Sequence, residues 1–137
     1  MGMRLLTDEQ RADRRMTEAQ LNSRVAYRTK KAGVRVLRMQ RALAGGAWRT
    51  PATKGFPDLQ IFGSRIIFRE LKRELGKLDE YQVMWRDLII AAGGDWGLWR
   101  PSDLRAGRIA LELFSLTVVP SETNVVQGSD LYAPTAA

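Results

Sequence analysis

The chain has 137 residues, 45% hydrophobic and 27% charged, with 22 Lys and Arg against 15 Asp and Glu, a net charge of +7, and neither cysteine nor histidine. That length suits one globular domain with a real core and falls short of two. Without cysteine or histidine there are no disulfides, no thiolate or imidazole metal sites and no Ser-His or Cys-His catalysis, which leaves carboxylate, lysine, hydroxyl and tyrosine chemistry.

Residues 1–16 are charged and weakly patterned, with Thr7 and Gln10 spaced as a capping box, so this segment reads as a short helix or an arm. Its alternating charges differ from the apolar stretch of a signal peptide, and a cytoplasmic protein is expected. No apolar run approaches the roughly 20 residues that cross a bilayer, so no membrane partner is expected. Thr17 and Gln20 form a second capping box and open a helix through Leu21, Val25 and Lys31, stopped by Gly33. Residues 34–38 alternate apolar and basic side chains as a strand does. From Arg24 to Lys54 the chain is basic without an acidic interruption, through Arg28, Lys30, Lys31, Arg35, Arg38, Arg41 and Arg49. Such a run suits a polyanion, with nucleic acid the commonest, although it would also serve as a solvated basic face. Residues 42–55 read as a glycine-containing loop in which Trp48 suits core packing.

Two β-rich runs follow, 58–62 and 66–72, joined by Gly63-Ser64-Arg65 as a three-residue hairpin loop. If Phe62 pairs with Ile66, Asp58 lies opposite Glu70, and Lys72 faces the same side two residues on. Facing carboxylates repel, and one would have its pKa raised. A hard divalent cation, Mg²⁺ or Mn²⁺, relieves that repulsion, and Lys72 would then stand beside a metal-bound water. The plainer alternative is a surface hairpin whose Asp, Glu and Lys form a solvated ion pair.

Beyond the hairpin, residues 79–92 form the clearest helical pattern. Asp79 is the expected N-cap, Gln82 its capping-box partner, and Leu78, Tyr81, Trp85, Leu88 and Ala92 the apolar face. Gly93-Gly94 ends it, and a short strand over 95–99 follows. Trp85, Trp96 and Trp99 read as core around that strand. Ser102 is the expected cap of a last helix through Leu104, Arg108, Leu111 and Leu113; Gly107 weakens it, and part of 109–119 would also suit a strand. From Pro120 on, polar residues, glycine and proline predict a loose tail. The order α-β-β-β-α-β-α implies an α/β fold with helices flanking a small mixed sheet.

Pro57-Asp58 followed by Glu70-Leu71-Lys72 resembles the signature of the PD-(D/E)XK nuclease superfamily. The setting is most similar to its VRR-NUC branch: Thr17-Glu18 opening a helix, Thr53-Lys54-Gly55-Phe56-Pro57-Asp58 leading into a strand, and Gly76-Lys77-Leu78-Asp79-Glu80-Tyr81-Gln82 opening the next helix. Ala92-Gly93-Gly94 then precedes a strand ending near Trp99-Arg100-Pro101, so the resemblance covers about residues 17–104. It implies a restriction-endonuclease-like αβββαβ core over 17–119, flanked by the 1–16 arm and the 120–137 tail. It implies a metal site of Asp58, Glu70 and the Leu71 carbonyl, with Glu18 as a further acidic ligand and Gln82 at the site's edge. Glu18 equally suits the helix dipole, and Gln82 equally suits its capping box.

The function expected from that resemblance is a Mg²⁺- or Mn²⁺-dependent DNA endonuclease with catalytic Asp58, Glu70, Lys72 and Gln82. Arg35, Arg38, Arg41, Arg49 and Lys54 would contact DNA. By analogy with small VRR-NUC members, a Holliday junction resolvase acting as a homodimer is expected, since a two-fold dimer matches a two-fold junction. The alternatives are a general or nicking endonuclease without junction preference, and a nonhydrolytic nucleic-acid-binding module. Residues 111–119, with Phe114, Leu116, Val118 and Val119, are the expected dimer surface, or else they cover the sheet's open edge.

Overall fold

A computed structural model describes residues 4–39 and 53–117 of the chain. In order, the elements are α1 (Asp8–Arg15), α2 (Glu18–Ala32), β1 (Arg35–Arg38), β2 (Leu59–Phe62), β3 (Ile66–Leu71), α3 (Glu80–Ala91), β4 (Asp95–Trp99), α4 (Pro101–Arg105) and α5 (Arg108–Ser115). Both expected N-terminal capping boxes form: Thr7 with Gln10 starts α1, and Thr17 with Gln20 starts α2. Gly33 ends α2 in the left-handed region at φ 73°, a conformation that costs glycine little. The first segment is a helix tied to the domain, because the buried Asp13 accepts from Arg105 of α4 at 2.9 Å.

The fold is mixed α/β. Its four strands form one sheet in the order β1-β2-β3-β4, antiparallel at β1-β2 and β2-β3 and parallel at β3-β4. The antiparallel pairs need only short connections, whereas α3 carries the chain between the parallel strands. Alternation divides the sheet into two faces. Leu59 and Ile61 of β2, Ile67 and Leu71 of β3 and Trp99 of β4 are buried with Leu21 and Val25 of α2 and with Ile109, Leu113 and Leu116 at α5. The opposite face carries Gln60, Phe68 and Glu70 and meets α3 through the buried Gln82 and Ile89.

Two helical expectations are corrected. The inward face of α3 runs through Gln82 and Ile89, while Tyr81 and Leu88 are exposed. Gln82 turns inward to reach Glu70, and Ile89, seven residues on, turns in with it. The last helix is two helices. Arg100 occupies the N-cap of α4, with Pro101 in its first turn, and Gly107 at φ 80° separates α4 from α5. Ser102 is not the cap, and residues 109–115 are helix without strand. Of the three tryptophans assigned to the core, Trp99 is fully buried, whereas Trp85 and Trp96 are half-buried. Trp48 and the tail from Pro120 lie outside the described residues.

Candidate functional site

The hairpin register places the site. Phe62 pairs with Ile66 and Leu59 with Arg69, so the next step along the ladder sets Asp58 against Glu70. The loop into Asp58 is fixed from behind. Gly55 has φ 82° and lies so close to α3 that a Cβ there would stand 2.5 Å from the Tyr81 carbonyl carbon. Phe56 packs edge-on against Trp85 at 4.9 Å and Phe68 at 6.1 Å, and the Pro57 carbonyl accepts from Gln60 Nε2 at 3.1 Å. Trp85 Nε1 donates to the Lys54 carbonyl at 3.0 Å. These contacts deliver Asp58 to the end of the sheet on an anchored backbone.

Both carboxylates are held by directional hydrogen bonds. Asp58 Oδ2 accepts from the Leu71 N–H at 2.9 Å, and Glu70 Oε2 accepts from the Asp58 N–H at 3.3 Å. Glu70 Oε1 accepts from Gln82 Nε2 at 2.7 Å, while Gln82 Oε1 accepts from the Asp79 N–H at 3.0 Å. Gln82 therefore caps α3 and grips Glu70 with opposite ends of one amide. Glu70 is 1% exposed. Its pKa is pushed up to about 9 from the ordinary 4.5, first by burial, then by the charge of Asp58 and a side-chain hydrogen bond with it, against the opposing pull of Lys72. As it stands, the pair therefore holds a proton at neutral pH.

A cleft of about 230 Å³ opens beside Asp58, lined by Glu18, Asn22, Arg38 and Met39 among others. Glu18 sits in the first turn of α2, suited to its dipole, and on the cleft wall. It does not close with Asp58 and Glu70 into a three-carboxylate cluster; among the described residues there is no such metal-ligating group. The donor set on hand is two hard carboxylates beside the Leu71 main chain. That fits Mg²⁺ or Mn²⁺, which bind through one or two carboxylates and keep several waters.

The expected basic residues separate. Arg38 pairs with Leu59 and lines the cleft, hydrogen-bonded to Asn22, whereas Arg35 pairs with Phe62 at the far end of β1 and faces the other side of the sheet. Three residues apart on a strand, the two cannot share a face. Lys54 lies over the Tyr81 ring at 4.2 Å, and Arg41 and Arg49 lie outside the described residues.

Three supporting residues escaped the sequence reading. Asn22 stands four residues after Glu18, so the helical repeat could have placed it on the cleft wall. Arg100 donates from Nη1 to the carbonyls of Arg73 at 2.6 Å, Glu74 at 3.0 Å and Gly76 at 2.8 Å, pinning the turn after Lys72. Arg69 is buried and bonds Asp95 Oδ1 at 3.0 Å and Glu112 Oε2 at 3.3 Å, and Trp99 Nε1 also donates to Glu112. Compared with known proteins, the chain matches no family model, no curated protein and no solved structure.

Proposed function

We propose that the chain is a metal-dependent DNA endonuclease of the PD-(D/E)XK kind, VRR-NUC-like, with a restriction-endonuclease-like αβββαβ core. The observation that carries this reading is the Asp58–Glu70 pair, half-buried at Asp58 and fully buried at Glu70, oriented by Leu71 and Gln82 and flanked by Lys72. Two facing carboxylates, one of them forced to keep a proton, are costly for a structural hairpin and useful for a cation. Asp58, Glu70 and the Leu71 carbonyl would hold Mg²⁺ or Mn²⁺, with Glu18 on the wall of the same cleft as Asp58. The ion, when bound, acidifies a water and stabilises charge on the scissile phosphate.

The chain's own residues supply the rest. Gln82 and the Leu71 N–H fix the orientation of the two carboxylates. Lys72, whose positive charge already reaches Glu70, would orient the attacking water and stabilise the hydroxide formed from it. Arg38, held by Asn22 at the cleft, receives a strand phosphate, and Lys54 lies on the loop before Asp58. The net charge of +7 favours a polyanionic substrate.

Branched DNA is the proposed substrate and a homodimer the working form, giving a Holliday junction resolvase whose two sites nick symmetry-related strands. Incubating the purified chain with labelled junction, fork, linear and single-stranded DNA in Mg²⁺, Mn²⁺ or EDTA tests it. Paired nicks in junctions with metal, and none in EDTA, are expected. Equal cutting of all duplexes would replace the resolvase reading with a general endonuclease. Binding without cutting in either metal would leave a nonhydrolytic module.

A further inference from the structure

A second cleft, of about 380 Å³, opens between α1 and α2, lined by Ala12, Arg15, Met16, Gln20, Ser23 and Arg24. Its polar lining can donate hydrogen bonds, and it contains no carboxylate. Arg15 comes from the last turn of α1 and Arg24 from the middle of α2, so two separate elements bring the guanidinium groups to one space. Neither arginine has an ion-pair partner among the described residues. The acids of α1 are already engaged: Asp8 with Arg11, and Glu9 and Asp13 with Arg105. Gln20 uses Oε1 on the Thr17 N–H, which leaves its NH₂ as the free end. Ser23 adds a hydroxyl.

Arg15 and Arg24 are both exposed, and an anion entering the cleft meets two guanidinium groups that carry no ion pair among the described residues. Guanidinium donates in a planar fork that matches phosphate oxygens, and charge-assisted bonds of this kind are about twice as strong as neutral ones. We propose that the α1–α2 cleft is a phosphate-binding site, seating either a backbone phosphate of a nucleic-acid strand or a free phosphate group. Its place favours coupling to the first site. Glu18, Ala19 and Asn22 of α2 line the candidate active cleft, whereas Gln20, Ser23 and Arg24 line this one. The two clefts thus lie on neighbouring sides of α2, Ala19 of one being four residues before Ser23 of the other. Only the strand-phosphate source draws on the nuclease reading; phosphate capture itself requires neither Asp58 nor Glu70.

The test uses the whole chain in EDTA, so cleavage plays no part in it. In one arm, inorganic phosphate is titrated at constant ionic strength while the amide signals of Ser23 and Arg24 are followed. In the other, affinity for a short labelled duplex is measured across salt concentrations. The double variant Arg15→Gln/Arg24→Gln should lose about tenfold or more in phosphate affinity, given the strength of bonds to charged groups. If a strand phosphate sits here, the duplex salt slope should also fall by about 0.9 per lost contact. Ser23→Glu keeps both arginines, places a carboxylate between them, and should reproduce the effect in a folded protein. Loss of phosphate binding with unchanged duplex binding assigns the cleft to a free phosphate group. Loss in the duplex arm, with or without the phosphate arm, assigns it to a strand. No saturating phosphate shift in the wild type, with duplex affinity and slope unchanged in both variants, overturns the proposal. Failure to cut DNA in metal would sink the nuclease reading and leave this result standing.

Discussion

Glu70 holds the chemistry of the site in one protonation equilibrium. Its folded-state pKa of about 9 lies above the ordinary 4.5, so the folded chain binds this proton more tightly than the unfolded chain does. The stability it contributes is complete below the lower value and is lost as pH climbs through the higher one. In EDTA, the thermal midpoint should therefore decline as pH rises from about 5 to 9, and Glu70→Gln should flatten that decline. A wild-type curve that rises over the same range would contradict the burial and pairing assigned to Glu70. Asp58→Ala and Glu70→Ala should each abolish cleavage, and Lys72→Ala should slow it by about 10²–10⁴-fold, while DNA binding survives. Gel assays of cleavage and binding on the same preparations check this; full activity in any of the three would remove that residue from the machinery. At this scale the candidate carboxylates and Lys72 were legible, because hairpin spacing sets which side chains face one another. Arg69 and Arg100 were not, since, the Phe68 carbonyl beside Arg69 apart, their partners lie 24 or more residues away in sequence.

The hairpin carries the site because its register admits no one-residue slip without turning Leu59 and Ile61 out of the core. Its turn is braced from outside the hairpin: Ser64 N–H donates to the Leu116 carbonyl at 2.8 Å, and a Cβ on Gly63 would meet that same oxygen at 2.5 Å. After β3 the chain is held by Arg100, which donates to three carbonyls of the turn, one of them, Arg73, also accepting from the Gly76 N–H at 3.0 Å. Arg100→Ala should loosen the turn after Lys72 and lower the cleavage rate, with faster amide exchange at 73–76 and β2–β3 protection unchanged. Exchange unchanged throughout would show that the clamp positions nothing. On β3, Arg69→Ala empties a buried site and removes bonds to Asp95, which keeps Arg65, and to Glu112, which keeps Arg108 and Trp99; it should lower stability by about 1–3 kcal/mol, read by urea unfolding. Capping boxes made the starts of α1, α2 and α3 legible, since they are local in sequence. The rotation of α3 was not, because periodicity assigned its face by hydrophobicity while the tertiary bond from Gln82 to Glu70 decided it.

Among the described residues, exposed apolar side chains are spread over several elements, from Leu37 on β1 to Leu111 and Phe114 on α5. Arg38 lies at the cleft and Arg35 does not, so Arg38→Gln should weaken DNA binding more than Arg35→Gln, with a salt slope lower by about 0.9. Equal losses would place the nucleic acid along β1 instead of over the cleft. The expected dimer surface is divided as well. Leu111 and Phe114 are 70% and 67% exposed on α5, whereas Leu116 is 2% exposed and belongs to the core; Val118 and Val119 lie outside the described residues. Amphipathic spacing alone could not separate these roles, because both sides of α5 are apolar and only packing against the sheet distinguishes them. If the chain pairs through this helix, Leu111→Lys with Phe114→Lys should convert a dimer into a monomer by light scattering. A wild type that is already monomeric would remove α5 from that role. Among the described residues no helix is long and apolar enough to cross a membrane. The central claim, that the Asp58–Glu70 pair hydrolyses DNA with a divalent metal, is tested most directly by the cleavage of labelled junction DNA by wild type and Glu70→Gln in Mn²⁺, Mg²⁺ and EDTA. Cleavage by the wild type in metal alone, with a folded and DNA-binding but inert Glu70→Gln, is the predicted result. Wild-type protein that cuts no DNA in either metal, or a Glu70→Gln variant that cuts at the wild-type rate, would contradict it.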